Sequence, residues 1–219
     1  MNIKRIIFWV CFVAVLALII WGLIVAMHKE STGGLSLGTP MAERATDHVR
    51  GSDTATVTLM EYADFQCPAC GAFYPIVERL LTNSSTTVRF VGRHFPLAQH
   101  RNAIAAAQAA EAAGAQGKYW DMAGLLYDNQ TSWETLTASQ AYDVFKGYAE
   151  RLKLNVALFE ADFKSTETKT KIDEDLADGR AIGVSGTPTF FINGKAITNP
   201  RDYESFKKLI DEAITSSTP

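Results

Sequence analysis

Two cysteines three positions apart, Cys67 and Cys70, stand where a strand-like run gives way to a helix-like run. That junction constrains the chain more than any other feature. Thr54 to Tyr62 (TATVTLMEY) is rich in β-formers and predicts a strand. After Asp64, Phe65 and Gln66, apolar residues recur at Ala69, Cys70, Phe73, Ile76, Val77, Leu80 and Leu81, the spacing of one helix face. Thr87 to His94 predicts a second strand, and a β-α-β unit of this kind makes the two strands parallel.

The remainder alternates in the same sense. Ala103 to Ala113 is strongly helix-forming, with Gly114 or Gly117 as its stop. Lys118 to Tyr127 predicts a short helix. Thr137 with Gln140 makes a capping box for a helix reaching about Leu152, Asn155 can cap the next, and Thr168 to Ala181 is helical up to Gly183. Strands return at Pro188 to Ile192 and Lys195 to Thr198, joined by Asn193-Gly194, a strong hairpin signal. Phe206, Leu209, Ile210, Ala213 and Ile214 mark a closing amphipathic helix. One α/β domain over 51–217, with a helical insertion at about 98–182, fits this order.

The chemistry concentrates in Cys67-Pro68-Ala69-Cys70. Cysteines at i and i+3 in a first helical turn can bring their sulfurs into bonding range. Pro68 suits the first helical position, where its missing N–H would be unpaired anyway. Cys67, at the helix N-terminus, meets free N–H groups and a dipole that favour a thiolate. Cys70 lies one turn in, on the apolar face, and should hold its proton longer. A structural zinc site wants four ligands, and a lone pair of cysteines supplies two. No second cysteine pair exists to complete such a site, and among the four histidines only His94 and His100, six apart, come near a ligand spacing, so no metal or other cofactor is expected. Haem attachment would need histidine where Gly71 stands. An inert structural disulfide remains open, although so short a loop would gain little from closure.

Ile6 to Met27 contains no charged residue, and about 22 helical residues span roughly the 30 Å of a bilayer core. The run is longer than a signal-peptide apolar region, and no A-x-A site follows it. It predicts an uncleaved signal anchor at 6–27. Lys4 and Arg5 before it leave residues 1–5 in the cytoplasm and put the domain outside. Cys11 reads as a small apolar residue of that span. Residues 28–50, with Ser31, Thr32, Gly33, Gly34, Gly38 and Pro40, predict a linker. A net charge of −3 offers no basic excess for nucleic acid.

Taken together, the stretches DFQCPAC, RHFPL, AAEAAGAQGKYWDM and GVSGTPTFFING resemble the DsbA-like disulfide oxidoreductases, nearest to their membrane-tethered or exported branch, over roughly residues 45 to 217. The resemblance implies a thioredoxin-like fold with an inserted helical subdomain, preceded here by one transmembrane helix. It implies that Pro188, after Thr187, is a cis-proline facing the cysteine pair, and that the Thr187 backbone receives an extended substrate. Pro75 matches a proline that often kinks this helix. Glu61 matches a buried carboxylate of the fold, and alternation independently puts it on the face of Val57 and Leu59. There a carboxylate is costly unless paired or protonated, and burial raises its pKa. Its functional reading is proton acceptor for Cys70; its bland reading is a surface residue of an edge strand. Ala69 departs from the oxidase motif, which has histidine at that position, so strong oxidising power is in doubt.

The implied activity is disulfide oxidation of exported cysteine-containing proteins through Cys67 and Cys70, with an integral-membrane, quinone-linked partner to reoxidise the pair. Reduction or isomerisation of the same proteins stays open, as does a peptide-binding chaperone with a structural disulfide. No separate dimerisation domain is evident, which weakens the isomerase reading, and a monomer is expected. The topology has a direct test. Protease added to intact spheroplasts should remove the cysteine-bearing domain, read by immunoblot; protection until lysis would reverse the orientation.

Overall fold

A central parallel pair organises the chain: β2 (Val57–Ala63) lies beside β3 (Val88–His94), with Leu59 opposite Phe90 and Ala63 opposite His94. The computed structural model describes residues 41–217; the span expected at 6–27 and most of the linker lie outside the described residues. The crossover between the two strands is α1 (Pro68–Asn83). Two further strands extend the sheet beyond β2. β4 (Thr189–Ile192) pairs antiparallel with it and β5 (Lys195–Ala196) antiparallel with β4. The β4–β5 turn has Asn193 and Gly194 at φ +48° and +78°, the doubly left-handed backbone that the Asn-Gly pair supplies at least cost. The Asn193 side chain also accepts from the Thr58 N–H at 2.8 Å, tying the hairpin to β2.

Between β3 and β4 run α2 (Ala103–Gly114), α3 (Tyr119–Asp128), α4 (Gln130–Trp133), α5 (Ala138–Arg151), α6 (Val156–Phe163) and α7 (Thr166–Ala181), and α8 (Tyr203–Ser217) closes the chain. This is the expected mixed α/β, thioredoxin-like architecture with a helical insertion. Both arms of the Thr137–Gln140 capping box are made, and Asn155 caps α6 by accepting from the Leu158 N–H. The four-residue α4 was not expected, because one turn leaves no periodic trace.

The insertion has its own core, where the alanines of α2 pack with Met122, Leu126, Trp133, Phe145 and Phe159. One sheet face, bearing Val57, Leu59, Phe90 and Phe190, is covered by Leu80 of α1 and Phe206 of α8. The other, bearing Met60, Tyr62, Val91 and Phe191, meets Phe95 and Val184. Side chains therefore alternate along β2 as the pattern requires.

The linker expected to reach residue 50 stops short of it. His48–Arg50 form β1, an edge strand antiparallel to β3. It is held by its ladder with β3 and by Val49 against the core, and three residues are too few to show a period; buried charge secures the segment just before it. Asp47 is buried and accepts from Arg93 Nε at 3.0 Å and Nη2 at 2.7 Å. Arg93 also donates to Tyr62 Oη and the Ala42 carbonyl. Arg44 pairs with Asp175 and, at 2.9 Å, with Asp178; Lys171 also reaches Asp175 at 2.6 Å. Burial alone would raise the Asp47 carboxyl, but the Arg93 hydrogen bond, the Arg44 N–H and the neighbouring cations outweigh it and hold the group below its usual value. A depressed carboxylate contributes stability above its unfolded value near 3.8 and loses it as pH falls through the folded one. Asp47→Ala should cost about 3 kcal/mol at neutral pH, since a buried charge loses its carboxylate. That lowers Tm by about 6–12 °C for a chain of this size. The wild-type advantage should shrink below about pH 4, as scanning calorimetry at neutral and acid pH would show.

Candidate active site

Two strand ends meet at the site. Because Tyr62 pairs with Thr189, the C-terminal end of β2 lies beside the start of β4. The segment leaving β2 carries Cys67; the segment entering β4 carries Thr187 and Pro188, whose peptide bond is cis.

The segment between β2 and α1 is pinned on several sides. The buried Asp64 carboxylate accepts from the Gln66 N–H (2.7 Å), the Leu97 N–H (2.9 Å) and His100 Nδ1 (2.7 Å). Its backbone carbonyl takes the Cys67 N–H at 3.0 Å. From the insertion, Gln130 Nε2 donates to the carbonyls of Phe65 (2.7 Å) and Cys67 (3.0 Å). Gln66 donates to the Glu134 carbonyl and accepts from the Asn102 N–H. Sequence reasoning missed Asp64 and Gln130. The aspartate had a local signal, an Asx turn two residues before Gln66; Gln130 had none, because its partners are more than 60 positions away.

Cys67 is the residue before the first helical turn, with φ −72° and ψ 121°, and Pro68 opens α1. Its Sγ lies 3.3 Å from the Thr187 carbonyl; Cys67 is buried, while the next two residues, Pro68 and Ala69, are exposed. The Cys67 thiol is drawn down to about 5, first by a hydrogen bond from Cys70, against the opposing effect of burial, then by the N–H groups of Cys70 and Ala69. Helix-terminal N–H groups were the expected source; the structure adds the Cys70 thiol to them. Cys70 is 1% exposed. Burial, its bond to Cys67 and the charge of Glu61 all push its thiol far above the usual range. Both cysteines are free thiols in this structure.

Glu61 is buried on β2, between β3 and β4, so its reading as a surface residue of an edge strand is set aside. Burial pushes its carboxyl up to about 8. Glu61 and Cys70 line one cavity of about 40 Å³ with Tyr119, Trp120 and Tyr127. That volume accommodates about two or three water molecules. Pro75 lies inside α1, away from this cavity's lining.

A Cys-x-x-Cys pair at a helix start, opposite a cis-proline at the head of the neighbouring strand, defines a dithiol site of the thioredoxin-fold class. A family model described as Thioredoxin matches residues 43–212, and the chain belongs to that family. Among solved structures, alpha-DsbA1 of Wolbachia pipientis superposes with a TM-score of 0.73 at 19% identity, covering 82% of this chain and 98% of that one. Oxidised BdbD of Bacillus subtilis gives 0.68 at 22%, covering 77% and 93%. At such identities the likeness is one of fold. Among curated proteins, one named Na(+)/H(+) antiporter NhaA 1 from Salinispora arenicola is 38% identical over 193 residues, which is 88% of this chain and 28% of that protein. A protein of the same name from Mycobacterium sp. is 32% identical over 181 residues, 81% and 28%. The chain spans little more than a quarter of the length of these curated relatives.

The buried carboxyl has a measurable consequence. Its folded value, about 8, exceeds the ordinary 4.5, so Glu61 lowers stability progressively as pH rises from about 4.5 through 8. Glu61→Gln should be close to neutral for stability at pH 4 and stabilising at pH 9. The gain is at most about 5 kcal/mol, at about 1.4 kcal/mol for each of the roughly 3.5 pH units between the two values. Urea titrations at both pH values check it; an equal effect at the two would show that the carboxyl titrates as an exposed one.

Proposed function

We propose that this chain is a thiol–disulfide oxidoreductase acting as a disulfide oxidase on exported cysteine-containing proteins. The inequality of the two sulfurs carries the reading: Cys67, 7% exposed, has its thiolate stabilised, and Cys70, 1% exposed, holds its proton. In the oxidised enzyme a substrate thiolate attacks Cys67 Sγ, and the Cys67–Cys70 bond breaks. Cys70 leaves with the electron pair and takes a proton from Glu61, directly or through water in their shared cavity. A second substrate thiolate attacks the substrate sulfur of the mixed disulfide, and Cys67 leaves as a thiolate. Two substrate thiols have become one disulfide, and the two electrons reside in the enzyme dithiol. A stable Cys67 thiolate favours the reduced enzyme, which makes its disulfide the oxidant and supports the oxidase direction over the reductase one. The Thr187 carbonyl and the cis Thr187–Pro188 bond beside Cys67 suit an extended substrate segment.

Residues 6–27 would anchor the domain outside the cytoplasm, next to an integral-membrane, quinone-linked protein that reoxidises the pair. The relatives named as antiporters support a membrane setting. Among the described residues of this chain no helix is long and apolar enough to cross a membrane.

Trapping in cells tests the roles. Cys70→Ser should accumulate mixed disulfides through Cys67, at least about tenfold over Cys67→Ser, on non-reducing gels, because the resolving thiol is gone. Equal trapping by the two variants would remove the assignment of Cys67 as the attacked sulfur.

A further inference from the structure

Apart from the cysteine pair, three side chains converge from three separate elements. His48 lies on β1, His94 ends β3, and Glu111 belongs to α2. His48 Nε2 and His94 Nε2 lie 2.8 and 2.7 Å from the same oxygen, Glu111 Oε1. One ligand atom from each residue falls within 4.8 Å of the others. In sequence they are 17 to 63 positions apart, so no local motif joins them.

The rings are held in place rather than merely close. His48 stacks on Tyr119 with centroids 3.4 Å apart and planes 10° apart. His94 meets the edge of the same tyrosine at 5.9 Å and packs against Phe65 at 5.9 Å. Gly114 leaves room for this arrangement: a Cβ there would sit 3.1 Å from His48 Cε1 and 3.3 Å from Tyr119 Cβ. His94 is almost fully buried, while His48 and Glu111 keep 19% and 11% of their side-chain surface exposed. Both line an open groove that also holds Thr46, Glu167 and Glu174, so solvent reaches one side of the cluster. Lys171 lines the groove as well, but its ammonium is engaged by Asp175 at 2.6 Å.

We propose that His48, His94 and Glu111 form a site for one divalent cation of the zinc type, with solvent completing the coordination from the groove. Two imidazole nitrogens and a carboxylate oxygen are a borderline ligand set, suited to Zn²⁺ or Co²⁺ and poorly suited to Ca²⁺ or Mg²⁺, which want oxygen. Metal bonds of about 2.0–2.1 Å put neighbouring tetrahedral ligands about 3.3 Å apart. The present 2.7–2.8 Å contacts therefore need to open by about half an ångström. Each imidazole must offer a bare Nε2, so protons now donated to Glu111 move to Nδ1 or leave to solvent. An ion there would staple β1 to β3 and α2, behind Phe65 and the active-site turn.

The test uses the full chain as the variant Cys11→Ser/Cys67→Ser/Cys70→Ser, so that no thiol competes. Zn²⁺ titration by calorimetry should give one saturable site, and Zn²⁺ should raise Tm with reversal by EDTA. Co²⁺ should give visible d–d bands with no thiolate charge-transfer band. His48→Ala and Glu111→Gln should each weaken Zn²⁺ binding by at least about 100-fold, because loss of an outer-shell partner alone costs about 10–100-fold. Circular dichroism without metal checks each fold, and His48, on the edge strand, decides the matter should Glu111→Gln misfold. No saturable binding, or binding unchanged in a folded variant, would overturn the site and leave a hydrogen-bonded cluster only.

Discussion

The antiparallel pairing of β4 with β2 is the constraint on which the site depends. Tyr62 opposite Thr189 brings two segments about 120 positions apart to one corner of the sheet. Register in a sheet is a stiff condition, since a slip of one residue turns every side chain to the other face. A slip here would carry Glu61 out of the Cys70 cavity and Phe190 out of the core beneath α1 and α8. The hairpin guards against it from the far end, where Asn193 exchanges hydrogen bonds with the Thr58 backbone.

The two sulfurs differ because of where helix α1 begins. Cys67 stands outside the first turn, next to free N–H groups; Cys70 stands inside it, packed toward the sheet. The insertion does more than cover a surface. Gln130 and the backbone around Glu134 hold the turn that carries Cys67, so the helical subdomain helps fix the position of the nucleophile. Preorganisation of this kind removes freedom that an exposed loop would keep.

On the other side of the sheet, the charged cluster of Arg44, Asp47, Arg93 and Asp175 fastens the N-terminal segment to the body of the domain. Such a cluster is expensive to bury and stable only when complete. Its N-terminal part ends at Asp47, directly before β1, whose first residue, His48, belongs to the histidine–glutamate group.

Local chemistry made much of this legible in the residues alone. The strand before Cys67, the proline at the first helical position, the capping box of Thr137 and Gln140, the Asn193-Gly194 turn and the burial of Glu61 each follow from neighbours a few positions away, through periodicity, backbone preference or alternation. The inequality of the two cysteines followed for the same reason. The strand at His48–Arg50, the hold of Gln130 on the Cys67 turn and the convergence of His48, His94 and Glu111 were decided only by the tertiary structure. Their partners are tens of positions apart, and polar contacts at that range leave no period in a sequence. Distance in the chain closes only when the apolar faces have packed, and that packing selects which polar groups meet.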